Sequence, residues 1–317
     1  MDKFTVICDA AGSASAPSQT SFEEQLAPLQ KRVERRLTEI FPQDQSGGLR
    51  SAIAHGLLSP GKRLRPLITM LACRQCGGDP LEALNAACAV EMVHAASLIV
   101  DDLPCMDDAR LRRNGEATHI AFGESTSILA SIALVNEAFG VIARMQTCDP
   151  QRRVTVAEKL SQSIGVNGLA GGQERDLLRE TENHPADVAE IEQSHLEKTG
   201  ALFAAAAGIG AVIAGARTVE IDAMEGFGSA LGLAYQTFDD VIDAQCDASE
   251  TGKDAGADEN RTTVVTMIGA AKANKSGAFW LDRAIQEAGK VDTGAGTPLV
   301  MLARLIEMKF SKMKKNA

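Results

Sequence analysis

From Phe22 onward, apolar residues return every three or four positions with few breaks. Phe22, Leu26, Leu29, Val33 and Leu37 make one such stripe, the spacing that lines up one face of a helix. The same periodicity predicts long helices over 81–101, 124–146, 151–168, 187–214 and 218–245. Turn residues punctuate it at Ser59-Pro60-Gly61 and Gly77-Gly78-Asp79-Pro80. Residues 9–21 are small and polar, so 1–21 is expected to be a disordered segment. The stretch 246–260 is polar and contains glycine, and reads as a loop. No segment alternates as a strand does, and no internal repeat stands out. The prediction is an all-α protein with one domain over residues 22–317, built from about ten helices.

Composition agrees with that fold class. Aromatic residues are only 4% of the chain, and alanine and leucine take their place, which favours helix over strand. The net charge of −10 makes the chain a poor nucleic-acid binder, since phosphate backbones need basic surface. An acidic protein that handles a phosphorylated ligand has to gather its cations locally or recruit a metal. Cys73 and Cys76 form a C-x-x-C, but no second pair has zinc-site spacing, so the cysteines read as thiols in a reducing cytoplasm. No run is read as long and apolar enough to be a transmembrane helix, and no basic-then-apolar leader opens the sequence. The expectation is a cytoplasmic protein with no transmembrane segment and no nucleic-acid partner.

Two aspartate-rich stretches break the apolar pattern: Asp101-Asp102-Leu103-Pro104-Cys105-Met106-Asp107-Asp108 and Asp239-Asp240-Val241-Ile242-Asp243. Carboxylates this dense repel one another unless cations bridge them, and oxygen-only donors suit Mg²⁺ rather than zinc. Diphosphate is the natural polyanion for ions held in this way. On an ideal helix Asp239, Asp240 and Asp243 share one sector. Gln236, Gly232 and Gly228 continue it, reading as a cavity wall with little bulk beneath a metal-binding mouth. Phe227, Leu231, Tyr235 and Phe238 lie away from that sector and suit packing. A solvated acidic helix end is the alternative, but the face carries no Lys or Arg partners.

The same wheel puts Val90, His94 and Ser97 below Asp101. Pro104 kinks or unwinds helices, so geometry alone favours Asp101 and Asp102 as ligands and leaves Asp107 off the line. Arg110, Arg112 and Arg113 follow. A salt-bridge network accounts for Arg110, whereas guanidinium contacts to a metal-bound diphosphate would use the same arrangement. Upstream, Lys62, Arg63 and Arg65 mark an expected helix start, where free N–H groups also favour an anion.

These pieces come in a telling order: Gly61-Lys-Arg-Leu-Arg-Pro66, the run from His94 to Asp108, Leu111-Arg-Arg113, Gly171-Gly172-Gln173 with Asp176, Lys198-Thr199-Gly200, and Tyr235-Gln236 before the last aspartates. Together they resemble the trans-isoprenyl diphosphate synthases, over about residues 22–310, and the wording around 94–119 is most like the geranylgeranyl enzymes. The resemblance implies a helical bundle of the isoprenoid synthase type around a deep central cavity, and a homodimer. It implies that Asp101, Asp102, Asp107, Asp239, Asp240 and Asp243 hold three Mg²⁺ on an allylic diphosphate (dimethylallyl, geranyl or farnesyl). Arg112, Lys198 and Lys253 would contact that diphosphate, with Thr199 and Gln236 beside it. Lys62, Arg65, His94 and Arg113 would bind isopentenyl diphosphate without metal. Arg261 stands where a second lysine is frequent, and residues 113–119 lack the family's usual Gly-Lys/Arg-Pro-Thr wording.

The implied reaction is head-to-tail condensation of isopentenyl diphosphate with the allylic substrate. Ala96 and Ser97, one turn below the first cluster, are small where farnesyl-forming relatives carry an aromatic, which points to geranylgeranyl diphosphate as product. Met92 and Val93, a turn lower, are the other candidates for the stop. Farnesyl diphosphate synthesis is the alternative. A class I terpene cyclase would not need Lys62, Arg65 and His94, and a non-catalytic partner subunit would not need the full carboxylate set.

Overall fold

Local chemistry sets the helix ends. Asp149 accepts the Arg152 N–H at 3.0 Å and is followed by Pro150, whose missing N–H costs nothing in a first turn. Asp187 and Glu190 cap each other's backbone N–H groups at 2.9 and 3.0 Å, a reciprocal arrangement that satisfies two orphan donors. Gly215 ends its helix at φ 76°, a left-handed conformation that favours glycine.

The computed structural model describes residues 17–42, 47–113, 115–146, 148–182, 187–245, 263–294 and 296–316. In chain order the helices are α1 (Pro17–Ile40), α2 (Gly48–Leu57), α3 (Leu64–Gln75), α4 (Leu84–Asp101), α5 (Thr118–Phe122), α6 (Glu124–Ala143), α7 (Pro150–Ile164), α8 (Leu169–Glu182) and α9 (Val188–His195). A π-helical turn, Leu196–Gly200, then joins α9 to α10 (Ala201–Ala214) without a break. The chain continues through α11 (Thr218–Gln245), α12 (Val264–Ile268), α13 (Ala270–Gly289) and α14 (Pro298–Asn316). The described strands are β1 (Leu111–Arg112) and β2 (Gly115–Glu116), an antiparallel pair. The fold class is therefore all-α, as the periodicity predicts.

Several boundaries differ from expectation. The first helix starts at Pro17, inside the stretch expected to be disordered. The number of helices exceeds ten because short helices such as α5 and α12 carry too few residues for a periodic signal. Three segments, Leu84–Asp101, Glu124–Ala143 and Val188–Ala214, are long and apolar enough to cross a membrane by length and composition alone. That corrects the expectation of no such segment. Packing within the fold gives the apolar character of the first and third a use, since 61% and 78% of their apolar windows are buried.

The described residues form two compact units. The first contains the residues up to Leu67 and Leu84–Met145. There α4 is the buried axis: Ala86, Ala87, Cys88, Val90 and Met92 are sealed from solvent, and α4 packs on α6 and α1. The second contains Ile68–Ala83 and the described residues from Gln146 onward, and the chain passes between the units within α3. Here α11 packs along α13 and α10, with Phe203, Phe227 and Leu231 fully buried. Gly228 and Gly232 set that closeness. A Cβ on Gly228 would sit 2.3 Å from the Phe203 carbonyl oxygen, and one on Gly232 would sit 2.6 Å from Gly200 Cα. The expected cavity wall on this glycine face is thus corrected to a tight helix–helix contact.

Candidate active site

In the first unit, α4 ends at Asp101 and the chain turns back on itself across Pro104. The Asp107 N–H donates to the Asp101 carbonyl at 2.9 Å, and Asp108, at φ 46°, donates to the Leu103 carbonyl at 3.1 Å. An ideal helix would carry Asp107 away from Asp101; this turn brings its backbone back beside it. Asp101 and Asp107 are half-buried, whereas Asp102 is 2% exposed. Arg112 on β1 binds Asp102 through Nε at 2.8 Å and through Nη2 as well. Burial pushes the Asp102 carboxyl up from its usual range, and the Arg112 guanidinium opposes that.

Four arginines of this unit act on His94. The Arg65 guanidinium donates to His94 Nε2 at 3.2 Å, so that nitrogen carries the lone pair and the ring is neutral. Desolvation first, then Arg65, Arg113, Arg63 and Arg112, hold the His94 pKa well below 6.5. Arg63 pairs with Glu91 at 2.9 Å and donates to the Ser59 carbonyl at 2.8 Å. Arg113 donates to the Ser59 hydroxyl at 3.2 Å and lies over Gly61, where a Cβ would meet its Nη1 at 2.9 Å. A cavity of about 420 Å³ borders this loop, lined by His55, Ser59, Arg112, Arg113 and Phe122 among others. The helix expected at Lys62 begins two residues later, at Leu64.

In the second unit, Asp239, Asp240 and Asp243 lie on α11 with aromatic packing behind them: Phe238 stacks on Phe310 at 4.5 Å, and Tyr235 meets Phe310 edge-on at 6.1 Å. The Thr199 hydroxyl donates to Gln236 Oε1 at 3.1 Å, and Gln236 Nε2 donates to Asp240 Oδ1 at 3.0 Å. That relay fixes the amide's orientation. Asp240 Oδ2 is buried and has no hydrogen-bond partner among the described residues; His195 Nε2 is 3.7 Å away. Burial, reinforced by Asp239 and Asp243, pushes the Asp240 carboxyl up to about 7. The His195 pKa is lowered to about 4, chiefly by burial, so this histidine offers no positive charge at neutral pH.

Lys198 sits in the π-helical turn, a feature often found at functional positions. Its Nζ donates to Asp176 Oδ2 at 3.1 Å, and Arg179 and Ser194 bind Oδ1. Burial alone would raise the Asp176 pKa, but Lys198, Ser194 and Arg179 together hold it below its usual value. Gly172 permits this packing, because a Cβ there would sit 2.3 Å from the Lys198 backbone nitrogen.

Among the described residues no three His, Cys, Asp or Glu side chains gather closely enough to cage an ion by themselves. Mg²⁺ does not require such a cage, since it is commonly held by one or two carboxylates plus substrate phosphate oxygens. The all-oxygen donors and the stranded Asp240 Oδ2 fit that ion. Lys253 and Arg261 lie outside the described residues. Ala96 is buried, and its carbonyl accepts the Ser131 hydroxyl from α6 at 3.1 Å; Ser97 is half-buried. Periodicity singled out neither Ser131, Glu91 nor Ser194, whose roles depend on tertiary contacts.

Comparisons with known proteins bear on the family and the fold. Residues 48–294 match the family model described as Polyprenyl synthetase. A geranylgeranyl diphosphate synthase from Pantoea ananas is 39% identical over 240 residues, covering 75% of this chain and 78% of its own. Geranylgeranyl pyrophosphate synthase 12, chloroplastic, from Arabidopsis thaliana is 37% identical over 296 residues, covering 92% and 82%. The crystal structure of a Helicobacter pylori geranyltransferase complexed with magnesium and isoprenyl diphosphate superposes with a TM-score of 0.78 at 27% identity, covering 94% of this chain and 99% of that one. With the family model matched over more than half its length, this chain belongs to the polyprenyl synthetase family.

Proposed function

We propose that this chain joins isopentenyl diphosphate head-to-tail to an allylic diphosphate, with geranylgeranyl diphosphate as product. The observation that carries this is in the first unit. A carboxylate turn ends α4, while Arg65 contacts His94 two turns upstream, with Arg113 and Arg63 also close enough to act on it. One metal-type site beside one cationic site suits two diphosphates, of which one takes metal and one does not. A cyclase binds a single diphosphate and would leave the second site without a use. The names of the Pantoea and Arabidopsis relatives support geranylgeranyl diphosphate as product.

In this reading Asp101, Asp102, Asp107, Asp239, Asp240 and Asp243 would hold three Mg²⁺ at the allylic diphosphate. Bound there, the metal supplies Lewis-acid stabilisation of the charge that develops on the leaving group. Arg112 and Lys198, joined by Lys253 through the family resemblance, donate to the departing pyrophosphate as the allylic C–O bond breaks. Lys62, Arg65, His94 and Arg113 hold isopentenyl diphosphate so that its double bond attacks the allylic carbon. The new C–C bond leaves a cation, which loses a proton to the released pyrophosphate. No protein base is required.

Homodimer formation is part of the proposal. Ile128, Leu129 and Ile132 expose 45%, 55% and 59% of their surface along one side of α6, an apolar stripe that a second copy would cover.

The deciding experiment incubates the protein with Mg²⁺, isopentenyl diphosphate and each allylic starter in turn, then sizes the products. C20 diphosphate is expected. Asp101→Ala and Asp239→Ala should each lower turnover roughly 10²- to 10³-fold. Near-normal isopentenyl incorporation in either variant would sink the reading.

A further inference from the structure

We infer that the buried Arg63–Glu91 ion pair is the positioning element of the isopentenyl diphosphate cradle, and that neither residue touches the substrate. The inference rests on the function proposed above. Arg63 stands between Lys62 and Arg65 in sequence and carries the same charge, yet its environment is opposite in kind. Its side chain and that of Glu91 are each only 4% exposed, with Nη1 and Oε1 2.9 Å apart. A cation so enclosed and neutralised is not available to a diphosphate. Lys62, Arg65 and His94 are half-buried as residues, although the Lys62 Nζ and Arg65 Nε atoms are themselves buried; none of the three shares the enclosed carboxylate partner that neutralises Arg63.

Three observations show what the pair holds. Arg63 has φ 52°, a left-handed backbone that a side-chain-bearing residue keeps only when its surroundings enforce it. Its Nη2 donates to the Ser59 carbonyl at 2.8 Å, and the Ser59 hydroxyl accepts from Arg113 at 3.2 Å. The pair therefore ties the loop carrying Lys62 and Arg65 to Arg113 through one serine. At the other end, Glu91 precedes His94 by three residues on α4, one turn away on the same face. The groups assigned to isopentenyl diphosphate thus lie on the two segments that this pair joins, the Ser59–Arg65 stretch and α4, or are reached through Ser59 in the case of Arg113. Buried supporting partners hold a binding constellation in its productive geometry, and the groups held here bind one substrate's diphosphate, so loosening them is expected to act on the KM for that substrate.

Steady-state kinetics in which the two substrates are varied separately test the assignment. Glu91→Gln should raise the KM for isopentenyl diphosphate about tenfold, with kcat and the KM for the allylic substrate changed less than about twofold. Removing one partner strands a buried charge, so the double variant Arg63→Met/Glu91→Leu, which strands none, is the second arm. It should show the same split between the two KM values, and it decides the matter where Glu91→Gln does not fold. Parallel rises in both KM values, or no change in either, would overturn the inference. An inactive wild-type protein would overturn the proposed function and this inference with it, whereas an active wild type with unmoved or parallel KM values overturns the inference alone, so the two failures are distinguishable.

Discussion

His94 is a neutral base set among cations. Desolvation and the guanidinium groups of Arg65, Arg113, Arg63 and Arg112 depress its folded-state pKa below the unfolded value of 6.5. Below that pH the unfolded chain takes up a proton that the folded protein refuses, so stability falls as the solution is acidified. Thermal or urea unfolding across pH 4 to 7 should show this slope. His94→Gln should flatten it by up to about 1.4 kcal/mol per pH unit; an unchanged acid limb would show that His94 protonates without cost. Glycine contributes by what it omits. Gly232→Ala drives a Cβ to 2.6 Å from Gly200 Cα and should cost about 1–3 kcal/mol. Gly289→Ala has nothing within 4 Å and should be neutral by the same measurement.

At this scale the sequence was informative about charge and poor about burial. The aspartate clusters stand out because chemistry follows residue type and spacing, whereas the parts given to Lys62, Arg65 and His94 come from the family resemblance. Arg63 carries the same charge as Lys62 and Arg65 in one short run; only the ion pair with Glu91, 28 positions away, shows the part it plays. Gly228 and Gly232 shared a helix sector with the carboxylates. A wheel cannot show whether such a sector meets space or another backbone.

Among elements, the long helix Thr218–Gln245 has the limits its periodicity predicts, because polar sequence bounds it on the C-terminal side. The 187–214 stretch also forms one unbroken run, but with a π-helical turn inside. A one-residue change of phase leaves no mark on apolar periodicity here, because Glu192 to Thr199 is mostly polar and α10 beyond it is apolar on nearly every side. On the proposed function, product length would be set along α4. Ala96 is 2% exposed and meets Ser131 through its carbonyl, so Ala96→Phe should overpack this contact and destabilise by about 1–3 kcal/mol. Ser97, half-buried and directly below Asp101 on the helix, is the better place for a floor. Ser97→Phe should shift the product from C20 toward C15 on chromatography; an unaltered distribution would place the stop at Met92 or Val93.

For the whole molecule, the apolar fraction that marks three helices as membrane-like by composition is used mainly for internal burial in α4 and in the α9–α10 run. The α6 helix is different, with 39% of its apolar window buried. If a second copy covers the remainder, Leu129→Lys combined with Ile132→Lys should convert a dimer to a monomer in sedimentation velocity. Retention of the dimer would move the interface elsewhere.

The π-helical turn also constrains how this chain can change length. Its Ala201 N–H reaches the Leu196 carbonyl, five positions back, so the run contains one residue more than an α-helical path would need. Losing a single codon here would heal the helix and leave its apolar faces nearly intact. It would also rotate Lys198 by about 100° relative to α10, away from Asp176. A deletion that makes the backbone more regular would be among the most damaging of lineage events, whereas similar losses in surface connections would pass unnoticed.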